Sequence, residues 1–185
     1  MNKIGIIGAM DEEVAELKRD MEVKSTTTMA SMEFLEGTIL GKDVVIVRSG
    51  IGKVNAAVCA EILAGIFHVD ALINTGIAGS LNAKIDIGDI VISSDVLHHD
   101  MDATGFGYPV GQIPRMDVLS FTADDTLIQL AKKVCEQVNP EIHTHTGRIV
   151  SGDQFISDKS VKEKIIANFE GYCTEMEGAA IAQTA

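Results

Sequence analysis

The stretch that sets the fold is Lys3-Ile4-Gly5-Ile6-Ile7-Gly8-Ala9-Met10-Asp11-Glu12-Glu13, at the start of the chain. Its first six residues form an apolar run that a glycine closes, which predicts a short buried β-strand. The acidic residues that follow suit the first turn of a helix, because they complement the positive end of the helix dipole. A strand, a glycine turn and a helix in this order predict an α/β protein.

The same alternation of strands and helices continues along the chain. Several predicted strands are apolar throughout, which is typical of a sheet covered by helices on both faces. No repeat or linker interrupts the pattern, so we expect a single domain over residues 1–185. Thr122 and Asp125 predict a capping box for one helix. The predicted strands cover residues 33–39, 44–48, 71–76, 85–97, 148–150 and 172–174, and the further helices cover residues 51–66, 127–138, 161–169 and 176–185.

Composition narrows the possible functions. The 185 residues match one domain, and a hydrophobic content of 46% is enough to form a core. With 15 basic and 27 acidic side chains the net charge is −12, which argues against nucleic acid and anionic membrane as partners. No apolar run approaches the roughly 18 residues that span a bilayer. Widely spaced Cys59, Cys135 and Cys173 predict reduced thiols in a cytoplasmic protein, without disulfides or a zinc site.

Glycine turns follow several predicted strands. The segment Gly50-Ile51-Gly52-Lys53-Val54-Asn55 lacks the third glycine of a dinucleotide fingerprint and the Ser or Thr of a P-loop. The turns at Gly8 and at Gly76-Ile77-Ala78-Gly79 match no better. Ligands of open α/β sheets bind beyond the carboxyl ends of the strands. We therefore expect one small-molecule site lined by backbone, and no dinucleotide or triphosphate cofactor.

The segment His98-His99-Asp100-x-Asp102 has the composition of a metal-binding cluster. Successive side chains of a strand point to opposite faces, so the two histidines diverge. We expect a solvated polar strand end at this place and no metal ion.

Acidic residues follow both the first and the last predicted strand, as Asp11-Glu12-Glu13 and Glu175-Met176-Glu177. The plainer interpretations are charges that complement a helix dipole and an exposed acid at a helix start. Because both groups follow strand ends, we also expect them to reach one ligand site. Two carboxylates at one site suit the hydrolysis of a glycosidic bond through a cationic transition state.

The longest irregular segment spans residues 100–116 and holds Phe106 and Tyr108 between glycines. In a chain with only 4% aromatic residues, two on one loop suggest a cover for an apolar part of a ligand. An ordinary surface loop, pinned by its aromatic side chains, is the alternative.

Taken together, these segments resemble one family over the whole chain. The chain is similar to the bacterial 5′-methylthioadenosine/S-adenosylhomocysteine nucleosidases, of the purine nucleoside phosphorylase superfamily. The matching segments are residues 3–10 with Glu13, residues 49–54, 74–76, 106–108, 111–114, 150–153 and 175–177.

The resemblance implies a three-layer α/β/α sandwich around a mixed, mostly parallel sheet, in a homodimer that needs no cofactor. It implies irreversible hydrolysis of the N9–C1′ bond of the thio-nucleoside substrate, with release of adenine and a 5-thio-substituted ribose. Glu13 would be the base that activates water, a role that a carboxylate can fill. Glu177 would accept hydrogen bonds from the ribose 2′ and 3′ hydroxyls.

The resemblance also implies a set of substrate-binding residues. Met176 would pack under the ribose, Phe155 would stack on adenine, and the backbone of Ile156 would read the adenine edge. Pro114 would reach the site of the partner protomer. The pocket for the 5′-thio group would be lined by Met10, Ile51, Phe106 and Tyr108, and the substrate-binding set would be completed by Ala9, Ile77 and Glu175.

Three alternatives stay open at this point, of which the first is a hydrolase that acts on another 6-aminopurine nucleoside. A phosphorylase would want arginines around a phosphate, and the chain has only Arg19, Arg48, Arg115 and Arg148. A carboxylate at Glu13 would also repel an anionic nucleophile, so hydrolysis is favoured over phosphorolysis. From another class of protein, the chain could be a nucleoside-binding protein without activity.

Two departures from the family pattern bear on these expectations. Ile77 stands where some members have serine, which removes one hydroxyl near the ribose. The aspartate that protonates the leaving adenine in the family has no match up to Ala185. We therefore expect the sequence to be a domain that is incomplete at its C-terminus.

Overall fold

The computed structural model describes residues 2–185, which form a mixed α/β fold with two five-stranded sheets. The chain divides into two compact units, of which the first runs to Ile77 and includes Gln183–Ala185, and the second is Ala78–Ala182. The strands are β1 (Lys3–Gly8), β2 (Glu22–Met29), β3 (Met32–Ile39), β4 (Lys42–Arg48), β5 (Ala71–Asn74), β6 (Gly79–Ser80), β7 (Ile90–His98), β8 (Phe121–Thr122), β9 (Thr144–Ser151) and β10 (Cys173–Glu175). The helices are α1 (Asp11–Arg19), α2 (Lys53–Gly65), α3 (Asp125–Val138), α4 (Lys159–Phe169) and α5 (Gly178–Thr184), with a short 3₁₀ turn at Thr104–Phe106.

The sheet of the first unit has the strand order β2-β3-β4-β1-β5. β1 pairs in parallel with β4 and β5, while β2, β3 and β4 form an antiparallel meander. The registers place Gly8 opposite Arg48 and Ile7 opposite Asn74, so three carboxyl ends share one sheet edge. Helix α1 covers the sheet through Val14, which is fully buried in a cluster with residues of β4.

The sheet of the second unit has the strand order β6-β10-β9-β7-β8. β9 pairs in parallel with both β7 and β10, and the short strands β6 and β8 are antiparallel at the two edges. The registers place His98 and Glu175 on either side of Ser151, again at a shared carboxyl edge. The core of this unit is formed by Leu81, Leu97, Val150, Ile165 and Phe169.

The predicted α/β class is confirmed, and so are the strand and helix at the start, the β3–β4 hairpin and the long helix α2. Strand β2 was not predicted, because its sequence EVKSTTTM is polar. The strand lies at an exposed sheet edge. The other three helices, α3, α4 and α5, also lie where the sequence predicts them, with shifted ends.

Three boundaries and environments differ from the predictions. The strand predicted from residue 85 begins at Ile90, because Gly88, with a φ of 96°, turns the chain just before it. The cap of α3 is Asp124, whose side chain accepts a hydrogen bond from Leu127 N at 2.8 Å, so the capping box predicted at Thr122 and Asp125 is wrong. The strand predicted to be buried at residues 71–76 is the edge strand β5, and its Ile73 is 38% exposed.

The helices of residues 2–185 are short. The longest is α3, with 14 residues, and over this part of the chain none has the length and apolar character that crossing a bilayer requires.

Candidate active site

Glu13 is held by backbone groups of the first unit. Its Oε2 accepts hydrogen bonds from Ala9 N at 2.7 Å and Met10 N at 3.0 Å, and its Oε1 accepts one from Ile77 N at 3.0 Å. Glu13 is the third residue of α1, a position from which a glutamate side chain reaches back to the start of its own helix. The carboxylate therefore has a fixed orientation before any ligand binds.

Two glycines allow the chain to close around this carboxylate. A Cβ at Gly76 would lie 2.8 Å from Glu13 Cδ and closer still to Oε1. A Cβ at Gly8 would lie 2.7 Å from Val14 Cγ1 and 3.1 Å from Glu13 Cβ. Both glycines follow or end a strand at the carboxyl edge, so the glycine turns noted in the sequence serve close approach to an acid.

A cavity of about 530 Å³ opens beside Glu13 and is lined by Met10, Glu12, Glu13, Thr75, Gly76 and Ile77. A neighbouring cavity of about 330 Å³ is lined by Ala9, Met10, Asp11, Glu12, Arg48, Gly50 and Ile51. Both volumes fall within the range that small-molecule sites occupy in proteins. The structure thus brings the predicted residues Ala9, Met10, Glu13, Ile51 and Ile77 to adjoining cavities of one unit.

Glu175 lies at the carboxyl edge of the second sheet. Its Oε2 accepts hydrogen bonds from Glu177 N at 2.8 Å and Gly178 N at 2.6 Å, and its Oε1 accepts one from the hydroxyl of Ser151. Ser151 Oγ also accepts from Ala179 N at 2.8 Å. Glu175, Met176 and Glu177 therefore form one ordered turn, in which Glu177 is buried and Met176 is half-buried.

The loop that carries Phe155 and Ile156 begins directly after Ser151. Its first turn is fixed by Asp153 N, which donates to Asp100 Oδ2 at 2.9 Å, and by Gly152 N, which donates to Glu175 O at 3.1 Å. Phe155 is 87% exposed, whereas the side chain of Ile156 packs against the core of the second unit.

The histidine pair does not form the solvated strand end that the sequence suggested. His98 and His99 are both buried, and a Cβ at Gly152 would lie 2.5 Å from His99 Cε1. His99, directly after β7, packs against the turn at Gly152, and the ring of His98 lies edge-on to Phe121. Over residues 2–185, no group of His, Cys, Asp and Glu has the arrangement of a metal site.

The predicted cover residues lie in the segment 100–116 of the second unit. Phe106 ends the 3₁₀ turn and is 86% exposed, Tyr108 is half-buried, and Pro114 is exposed. Backbone hydrogen bonds from Phe106 and Tyr108 to Ala103 O order this turn without covering the aromatic side chains.

Ser151 and Gly76 are functional candidates that the sequence interpretation did not connect with the two carboxylates. Both stood in segments that supported the family resemblance, yet their partners are distant in sequence. The signal for Ser151 is that it ends a strand whose neighbour ends in Glu175. The signal for Gly76 is that it follows the end of a strand next to the one that precedes Glu13. Neither signal has meaning until the strand order is known.

Comparison with known proteins gives the class of protein and then the family. The family model described as the phosphorylase superfamily matches residues 3–185. A 5′-methylthioadenosine/S-adenosylhomocysteine nucleosidase of Halalkalibacterium halodurans is 47% identical over 184 residues, which cover 99% of this chain and 78% of that protein.

Solved structures agree with this relationship. The nucleosidase of Colwellia psychrerythraea in complex with adenine aligns with a TM-score of 0.94 at 47% identity, over 98% of this chain and 75% of that one. The nucleosidase of Neisseria meningitidis in complex with methylthio-immucillin-A aligns with a TM-score of 0.95 at 38% identity, over 100% of this chain and 79% of that one. The chain belongs to the phosphorylase superfamily and, within it, to the family of bacterial 5′-methylthioadenosine/S-adenosylhomocysteine nucleosidases.

Proposed function

We propose that this protein hydrolyses the N-glycosidic bond of 5′-methylthioadenosine and S-adenosylhomocysteine, releasing adenine and a 5-thio-substituted ribose. The observation that carries the proposal is the Glu13 carboxylate, fixed by three backbone N–H groups at the wall of a cavity, in a member of the nucleosidase family. The substrate class follows from the family, and the chemistry follows from the carboxylate.

Glu13 is proposed as the base that activates the attacking water. A carboxylate has about four acceptor positions, and three of those of Glu13 are occupied by Ala9 N, Met10 N and Ile77 N. Because Oε2 takes two of these bonds and Oε1 takes one, Oε1 keeps a position for a water proton. Fixed geometry of this kind supports general base catalysis, since no reorganisation is needed before the proton moves.

The remaining site residues receive their roles residue by residue from the family. Glu177 accepts hydrogen bonds from the ribose hydroxyls, and Met176 packs under the ribose. Phe155 stacks on adenine, for which its exposed ring is available, and the backbone of Ile156 reads the adenine edge. The 5′-thio group and the rest of the nucleoside are contacted by Ala9, Met10, Ile51, Ile77, Phe106, Tyr108 and, from the partner protomer, Pro114.

A phosphorylase is the competing activity within the superfamily, and three of the four arginines argue against it. Arg19 pairs with Glu16, Arg48 pairs with Asp11 at 3.2 Å, and Arg148 pairs with Asp95 at 2.8 Å. Cations that are neutralised by carboxylates are poor ligands for phosphate.

The test is adenine release by the purified protein from 5′-methylthioadenosine, followed by chromatography with and without inorganic phosphate. We expect release at a rate that phosphate does not change, with the free thio-ribose as the second product. A rate that requires phosphate and yields a ribose 1-phosphate would establish a phosphorylase. Nucleoside binding measured by calorimetry, without any adenine release, would establish a binding protein instead.

We also propose that the protein is a cytoplasmic homodimer. Cys59 and Cys173 are free and buried, which suits a reducing compartment. Val54 and Val58 lie one turn apart at the start of α2 and are exposed, as is Ile51 just before the helix, which supplies an apolar face for a second copy. Analytical ultracentrifugation tests the dimer, and a Val54→Glu variant should sediment as the monomer if this face is the interface.

A further inference from the structure

Glu175 was expected from the family resemblance to bind substrate, yet its carboxylate is engaged with its own chain. Two of its hydrogen bonds come from the backbone of Glu177 and Gly178, and the third comes from the hydroxyl of Ser151. Three of its about four acceptor positions are therefore filled by its own turn and by the neighbouring strand.

Ser151 makes this arrangement rigid. It is opposite Glu175 in the parallel β9–β10 pair, and it is completely buried. Its hydroxyl donates to Glu175 Oε1 and accepts from Ala179 N, so one oxygen links the carboxylate to the start of α5. Gly152 N closes the same pair of strand ends by donating to Glu175 O.

These contacts fix the backbone at Glu177. The amides of Glu177, Gly178 and Ala179 are all held by Glu175 or Ser151, so the backbone at Glu177 is fixed at its own N–H and at the two that follow. A side chain that starts from a fixed Cα has few rotamers with which to reach a ligand.

We propose that Glu175 and Ser151 are positioning residues, which hold the backbone at Glu177 so that its carboxylate meets the ribose hydroxyls. The proposal rests on the proposed function, because the ribose-binding role of Glu177 comes from there. Neither residue touches substrate in this proposal. Their effect passes through the three amides that they hold.

The experiment compares 5′-methylthioadenosine with its 2′-deoxy analogue. For the wild-type protein we expect the missing hydroxyl to lower kcat/KM by about 10- to 100-fold, the usual range for a hydrogen bond to a charged group. Glu175→Ala should lower kcat/KM for the full nucleoside and reduce the ratio between the two substrates to within about threefold, because Glu177 no longer meets the hydroxyl.

Two further variants separate positioning from a general loss of structure. Glu175→Gln keeps a carbonyl oxygen for the two amides and an NH₂ group for Ser151 Oγ, so it should restore most of the substrate ratio. Glu163→Ala, at an exposed glutamate of α4, is the matched control and should leave both substrates unaffected.

The integrity of the strand is read from Cys173, which is two residues before Glu175 and only 3% exposed. If Glu175→Ala leaves Cys173 protected from alkylation while the substrate ratio collapses, the positioning role is supported. If Cys173 becomes reactive in Glu175→Ala, the test passes to the Ser151→Ala variant, which leaves Glu175 and its two backbone hydrogen bonds in place. A partial loss of the ratio in Ser151→Ala then supports the proposal.

Other results would overturn the positioning role of Glu175 and Ser151. Variants at positions 175 and 151 that lose activity but keep the wild-type ratio between the two substrates would overturn the positioning role. Failure of the proposed function is a separate event, because it would show as a wild-type protein that releases no adenine from 5′-methylthioadenosine.

Discussion

Glu13 and Glu175 make an informative pair, because each is a glutamate near the carboxyl end of a parallel strand and each accepts three hydrogen bonds. Glu13 receives all three from backbone N–H groups, two of them from residues four and three positions earlier and one from Ile77, 64 positions away. Glu175 receives two from the residues just after it and one from the hydroxyl of Ser151. The first borders a cavity, while the second organises a turn.

The number of hydrogen bonds that a carboxylate accepts therefore does not by itself show what role the carboxylate has. Three donors can hold a reactive carboxylate in place, as at Glu13. Equally, a carboxylate can hold its three donors in place, as at Glu175. What separates the two cases is the neighbouring space, since Glu13 lines a cavity of about 530 Å³ and the amides bound to Glu175 belong to the buried turn that leads into α5.

The largest difference between Glu13 and Glu175 is expected when the charge of each carboxylate is removed and its shape is kept. Glu13→Gln should lower kcat for adenine release by about 10²- to 10⁴-fold, the usual contribution of a general base, with adenine binding little changed. Glu175→Gln should cost at most about tenfold, because its amide group can keep the same partners. Steady-state kinetics and calorimetry measure the two effects.

Glu16→Gln, on the exposed side of the same helix α1, is the control for charge removal and should behave as the wild type. Equal losses in the variants at positions 13 and 175 would contradict the division of roles.

The second test adds a methyl group behind each carboxylate. Gly76→Ala places a Cβ 2.8 Å from Glu13 Cδ, so the carboxylate must move, and we expect a loss of about 10²-fold in kcat/KM. Gly178→Ala places a Cβ at 3.3 Å from both Glu175 oxygens, which a shift of a few tenths of an ångström relieves, and should cost at most about tenfold. Kinetics on folded variants, checked by circular dichroism, decide between these magnitudes.

Gly65→Ala is the matched control, because its Cβ would meet only the flexible end of Glu61. A mild Gly76→Ala variant would show that Glu13 tolerates displacement and that its fixed orientation matters little.

The smallest effect concerns the two buried thiols, one in each unit. Burial raises the pKa of Cys59 to about 12, and burial followed by the charge of Glu175 raises the pKa of Cys173 to about 12. Thiolates are the reactive form, so at pH 8 we expect an aromatic disulfide reagent to label partly exposed Cys135 first and the other two only on unfolding. Labelling followed by mass spectrometry identifies the sites, and early labelling of Cys173 with Cys59 intact would show that the second region opens more easily than the first.

Local patterns were enough to predict the elements whose burial is continuous in sequence. β1 and β4 are apolar runs, and α1 begins with acids after a glycine, so each carries its own signal. β2 carries none, since its exposed polar residues have a partner only through pairing with β3. The start of β7 was missed because a turn at Gly88 interrupts an apolar pattern that continues through it.

The site was predictable to the extent that its residues follow strand ends. Glu13 was singled out by its place after β1, and the structure has a cavity beside it. The solvation of His98 and His99 was predicted wrongly, because their neighbours are distant in sequence. The ring of His98 meets Phe121, and His99 meets the turn at Gly152. The link between Ser151 and Glu175 likewise depends on the order of β9 and β10.

The bond from Met10 N to Glu13 has a consequence for how such sequences diverge. It makes the proposed base a part of the helix start, where loss of a cap commonly costs about 1 kcal/mol. A descendant that abandons catalysis and keeps only nucleoside binding would still gain stability from a glutamate at this position. The presence of that glutamate in a distant relative is therefore evidence for an intact helix before it is evidence for an active enzyme.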